Sequence, residues 1–86
     1  MYRVVLSDAA RRFYEKADAS LQRRLDRCFQ VLAKSPRSHP NIKPLKGELK
    51  GYFRYRVGAY RVIYRVEDDR MVVLVVMIVH RGGAYS

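Results

Sequence analysis

The chain has 86 residues, with 18 Lys+Arg against 8 Asp+Glu, a formal net charge of +10 and a pI near 10.3. That length allows one small domain, residues 1–86, and excludes an enzyme with separate substrate and cofactor domains. Hydrophobic residues make up 49% of the chain, enough to offset ordering entropy despite the charge, and a lone cysteine, Cys28, excludes a disulfide scaffold or a cysteine-rich zinc site.

In chain order, Tyr2-Arg3-Val4-Val5-Leu6 reads as an opening strand rich in β-branched and aromatic residues. Ser7-Asp8 offers helix N-cap chemistry, and Ala10, Phe13, Tyr14 and Ala17 follow at helical spacing. Asp18-Ala19-Ser20 makes a second break with cap residues. Leu21, Leu25, Cys28, Phe29 and Leu32 then form one apolar face of a second helix, which Pro36 ends. Cys28 lies on that apolar stripe and reads as a buried structural thiol. Residues 36–50, with three prolines and little periodicity, read as a loop, in which His39 is expected to be exposed. Residues 51–57 and 59–66 are aromatic and β-branched strands separated by Gly58. A polar turn, Glu67-Asp68-Asp69-Arg70, leads to the apolar stretch 71–79, which should lie centrally with both faces covered. The order β-α-α-β-β-β predicts an α+β fold, a helical hairpin packed on a small, mostly antiparallel sheet.

No segment reads as a signal peptide, and the apolar stretch 71–79 falls short of the roughly 20 residues of a spanning helix. The expectation is a soluble, cytoplasmic protein with a polyanionic partner. Its charge is uneven. Residues 41–66 hold seven Lys/Arg against one acid, Glu48, more than half of the net charge.

Side chains alternate across a strand, so a two-residue turn at Gly58-Ala59 sets Val57 opposite Tyr60, Arg56 opposite Arg61 and Arg54 opposite Ile63. One side of the ribbon then carries Tyr52, Arg54, Arg56, Arg61, Ile63 and Arg65. The other carries Phe53, Tyr55, Val57, Tyr60, Val62 and Tyr64, suited to packing on the helices. Like charges directly opposite one another destabilise a sheet. An anion bridging the guanidinium groups offsets that repulsion, and arginine binds phosphate in bidentate fashion.

Three segments carry a family likeness: Leu45-Lys46-Gly47-Glu48-Leu49-Lys50-Gly51-Tyr52, then Tyr55-Arg56-Val57-Gly58-Ala59-Tyr60-Arg61-Val62-Ile63-Tyr64, then His80-Arg81 followed by Tyr85. Together they resemble the RelE/ParE toxin superfamily of type II toxin–antitoxin modules, most closely its RelE branch. The resemblance implies a ribosome-dependent mRNA endoribonuclease (an mRNA interferase) that inhibits translation, with no metal and no cofactor, by attack of the ribose 2′-OH on the scissile phosphate. It implies Arg54, Arg56, Arg61, Arg81 and Tyr85 as catalytic residues, with Glu48 and His80 as acid–base candidates. Lys43, Lys46, Lys50 and Arg65 are then RNA-binding. Glu48 also reads as a loop carboxylate paired with Lys46 or Lys50, and His80 as a strand-end polar residue. The implied partners are the ribosome, mRNA and a cognate antitoxin, through which the complex binds its own promoter DNA. A ParE-like DNA gyrase inhibitor without nuclease chemistry is the alternative.

Overall fold

A computed structural model describes residues 1–81. Strand β1 (Arg3–Leu6) is followed by helices α1 (Asp8–Lys16) and α2 (Ala19–Lys34), then by β2 (Ile42–Pro44), β3 (Phe53–Val57), β4 (Tyr60–Glu67) and β5 (Val72–His80). The strands form one sheet in the order β1-β5-β4-β3-β2, with β1 parallel to β5 and every other pair antiparallel. This is the expected helical hairpin on a mostly antiparallel sheet, with one strand more than expected. Residues 36–50 are not all loop: Ile42–Pro44 pairs with the outer edge of β3, and Gly47–Leu49 forms a 3-10 turn.

The helices begin where their caps predict. The Ser7 hydroxyl oxygen accepts from Ala10 N at 3.1 Å and donates its own hydrogen to Val76 O at 2.7 Å, so one side chain caps α1 and ties it to β5. Asp18 Oδ1 accepts from Leu21 N at 2.8 Å at the start of α2. Gln22 Nε2 donates to Tyr14 O at 2.7 Å across the short connection, fixing the two helices against each other. Among the described residues, no helix is long and apolar enough to cross a membrane.

The core lies between this helical layer and one face of the sheet. Leu25, Cys28 and Leu32 of α2 are fully buried, together with Val62, Tyr64, Val73 and Val75. Burial pushes the Cys28 thiol well above its ordinary value, which leaves it neutral and structural at physiological pH. Strand β5 is central, as expected, but the helices cover only one of its faces. Leu74, Met77 and Val79 point to the other side and are half-buried.

Two polar ties fasten residues 36–41, the segment that leads into β2. The buried Tyr64 hydroxyl donates to Pro36 O at 2.6 Å. Arg37 grips Asp68 with two nitrogens, at 3.1 and 2.7 Å, while Tyr2 OH donates to Asp68 Oδ1 at 2.6 Å. These hydrogen bonds from Arg37 and Tyr2 hold the Asp68 carboxyl down at about 2.

Replacing Tyr64 by Phe leaves the Pro36 carbonyl without its buried donor while preserving the ring's packing. The expected loss is about 1–2 kcal/mol, read from urea unfolding. An unchanged midpoint would show that the bond adds nothing net. Asp68 predicts an acid-side effect. Its folded pKa is depressed, so its contribution is present above about pH 4 and is lost as pH falls through about 2. Asp68→Asn should therefore flatten the dependence of the unfolding midpoint on pH between about 4 and 2, and a slope equal to that of the parent protein refutes the assignment. The pair is exposed, so added salt should shrink the effect.

Candidate functional site

The site grows out of the β3–β4 hairpin. Gly58 sits at φ 56°, in the left-handed region, and Ala59 does not, as a two-residue turn with glycine first requires. This turn sets the expected register, with Arg56 opposite Arg61, Arg54 opposite Ile63 and Val57 opposite Tyr60. Tyr55, Val57, Val62 and Tyr64 consequently face the helices and are buried. Arg54, Arg56 and Arg61 face away from them, and β2 adds Lys43 directly opposite Arg54.

On that uncovered face, Lys43, Lys46, Arg54, Arg56 and Arg61 line one cavity of about 360 Å3, closed at its rim by Pro44 and Leu45. Among the described residues, five cations and no acid line it. The basic side chains are not a loose fringe. Arg54 Nη1 donates to Asn41 O at 2.6 Å, and the backbone N of Arg56 donates to the same carbonyl at 3.1 Å. Asn41 Nδ2 in turn donates to Arg56 O at 3.1 Å. Asn41 is itself fixed, because its backbone N donates to Nδ1 of His39 at 3.1 Å, while the His39 ring packs on Tyr55 at 5.2 Å. His39 is therefore half-buried and structural rather than exposed, and Asn41 is a positioning residue that composition alone did not mark.

The remaining expected site residues are spread more widely. Arg65 shares the face but not the cavity. It pairs with Glu67 at 3.0 Å and reaches the Tyr52 hydroxyl oxygen at 3.5 Å, so its charge is partly offset locally. Lys50 and Glu48 are exposed around the 3-10 turn and do not line the cavity. Glu48 makes no ion pair with Lys46 or Lys50 among the described residues.

His80 is turned to the helix side. Its ring meets Tyr60 edge-on at 5.2 Å, and Tyr60 meets Phe13 of α1 at 5.5 Å. The cause is an irregularity in the β4–β5 pairing: Tyr64 opposes Val75 while Ile63 opposes Met77, so Val76 is an extra residue. Beyond it the alternation of β5 is inverted. Val79, opposite Arg61, joins the arginine face, and His80 leaves it. Past the end of β5, Arg81 is exposed, and its backbone N donates to Ala59 O at 2.6 Å, which ties it to the hairpin tip outside the cavity. Tyr85 lies outside the described residues. Among the described residues, no three His, Cys, Asp or Glu side chains cluster as a metal site.

Comparison with known proteins gives this architecture a relationship. The family described as the ParE toxin of type II toxin–antitoxin systems, parDE, matches residues 4–85. Toxin RelG of Mycobacterium tuberculosis is 42% identical over 43 residues, which cover 50% of this chain and 49% of that one, about half its length. Toxin YoeB of Mycobacterium bovis is 34% identical over 64 residues, covering 72% of this chain and 75% of the relative. Among solved structures, the RelBE2 toxin–antitoxin complex of M. tuberculosis contains a chain that superposes with a TM-score of 0.79 at 31% identity, covering 93% of this chain and 98% of that one. The helical hairpin on a five-stranded sheet and the match along almost the whole sequence agree: the chain belongs to the ParE toxin family of type II toxin–antitoxin systems, within the RelE/ParE superfamily.

Proposed function

We propose that the chain is a ribosome-dependent mRNA endoribonuclease, kept inactive by a cognate antitoxin. The observation that carries this reading is the cavity on the open sheet face, where Arg54, Arg56, Arg61, Lys43 and Lys46 converge with no acid among the described lining residues. Such a set fits one phosphodiester with crowded negative charge. In the proposed reaction the ribose 2′-OH gives its proton to solvent water and the O2′–P bond forms. The P–O5′ bond then breaks, giving a 2′,3′-cyclic phosphate and a 5′-hydroxyl that takes its proton from water. Charge gathers on the non-bridging oxygens as the phosphorus becomes five-coordinate. Guanidinium groups held in advance stabilise that state more than the ground state. The bond from the Arg54 guanidinium to Asn41 O supplies such preorganisation at Arg54, while Asn41 fixes the backbone of Arg56.

Arginine stays protonated and makes a poor general base. Electrostatic stabilisation and orientation of the substrate are therefore the main sources of rate in this reading. His80 faces Tyr60 on the helix side, so this reading assigns it no part in the proton transfers. Arg81, at the hairpin tip beside Ala59, adds a further cation to the phosphate's surroundings. The relatives' names support a nuclease over a gyrase inhibitor, since RelG and YoeB are the toxins matched. An antitoxin partner is supported by the solved RelBE2 complex, and a net charge of +10 favours fast capture by an acidic segment. That antitoxin would carry the contact to promoter DNA.

The test is expression without antitoxin, followed by mapping of mRNA ends and measurement of plasmid supercoiling. Cuts positioned on codons support the reading, whereas gyrase-trapped DNA breaks with intact mRNA overturn it. Arg61→Ala and Arg81→Ala should each lower cleavage by about 10²–10³, the usual cost of one transition-state donor, with the fold retained by circular dichroism. His80→Ala should cleave as the parent does. Full cleavage by both arginine variants removes the proposed roles.

A further inference from the structure

A second basic cavity lies round the edge of the sheet from the first. Arg24 and Arg27 of α2, Asn41 and the stretch from Tyr55 to Gly58 enclose a space of about 180 Å3. Arg56 lines both cavities, so one guanidinium-bearing residue forms the wall between them. Arg24, Arg27 and Arg56 are all exposed, and none of their side chains makes an ion pair or hydrogen bond among the described residues. Among the described residues, no acid lines the space. Asp26, the nearest acid on α2, is engaged on another side by the Tyr14 hydroxyl at 2.7 Å.

Arg24 also lies against the hairpin tip. A Cβ built on Gly58 would run into its Nη2, so the glycine that the turn needs for its backbone also makes room for this guanidinium. A solvated helix face would let three like charges spread apart. Here the helix, the turn and β3 bring them to one small space.

We infer that this cavity is a second phosphate subsite, which holds a backbone phosphate of RNA while the neighbouring cavity holds the one that reacts. The inference rests on the reading that the first cavity takes RNA. The shared Arg56 makes a continuous strand the natural ligand, since adjacent phosphates then straddle one side chain. Arg24 and Arg27 touch no reacting atom in this arrangement. They add affinity without base preference, and their contribution carries the salt dependence of counterion release.

The test measures binding of a short single-stranded RNA oligonucleotide to the full chain by fluorescence anisotropy across a salt series. Three proteins are compared: the parent, R24A/R27A, and R12A/R23A, a control with the same charge loss outside the cavity. The subsite predicts binding roughly tenfold or more weaker for R24A/R27A, with the slope of log K against log salt reduced by about 1 to 1.5. The control should lose much less. A parallel titration with empty ribosomes identifies the source of the phosphate: a loss confined to the oligonucleotide assigns the substrate strand, and one confined to ribosomes assigns ribosomal RNA. If R24A/R27A matches the control in both arms, the subsite is overturned while the RNA reading stands. If the parent binds neither probe, both readings fall. Thermal unfolding checks that all three proteins are folded.

Discussion

The register of the β3–β4 hairpin is the constraint on which the rest of the molecule depends. Side chains repeat every two residues along a strand, so a slip of β3 by one position against β4 would exchange the two faces of β3. Tyr55 would move into water, and Arg54 and Arg56 would move beneath the helices. Burying an unpaired guanidinium costs several kcal/mol per ion, a large share of the stability of a domain this size. Gly58 guards against that slip at the tip, where its φ of 56° suits a turn with two central residues. The aromatic half guards against it from below, since Tyr64 is fully buried and its hydroxyl has a fixed partner in Pro36 O. Core and site are thus opposite sides of a single choice.

Asn41 turns that choice into a shaped surface. Its carbonyl accepts from Arg54 and from the backbone of Arg56, and its side chain closes a bond back to Arg56. One residue before a three-residue strand therefore fixes the side chain of Arg54 and the backbone of Arg56. What holds Asn41 is the tilted packing of His39 on Tyr55 and, further back, the grip of Arg37 on Asp68. The buried core, the tied segment and the basic cavity form a continuous chain of support. A change at Tyr64 or Asp68 can for that reason alter the site without touching any cation in it.

The sequence made the hairpin, the helix caps and the arginine face legible because each rests on local chemistry. Ser7 and Asp18 are short oxygen-bearing side chains at breaks in helical periodicity, and both cap as expected. Strand β2 was hidden for the opposite reason. Ile42, Lys43 and Pro44 have no periodicity of their own, and they become a strand only because the outer edge of β3 offers them partners. Lys43 was marked by charge alone, and its position opposite Arg54 came from that non-local pairing. The face of His80 was hidden too. Counting by twos from Leu74 sets His80 beside Arg61, and only the extra residue at Val76 inverts the count. A bulge in a uniformly apolar strand leaves no mark in composition. Arg65 looked like a fourth member of the basic row until Glu67, two residues on along the same strand, proved close enough to pair with it.

The opposed charges on the hairpin have a thermodynamic consequence. Arg56 opposite Arg61 is a like-charge pair in direct register, which lowers the stability of the unliganded sheet. Any anion that binds this surface only in the folded state removes part of that repulsion and stabilises the fold by mass action. On the proposed function, a bound RNA phosphate would gain from relieving that repulsion. A protein that evened out these charges would be more stable alone and would bind such a polyanion less well. The stability of the hairpin would then depend on the occupancy of its open face.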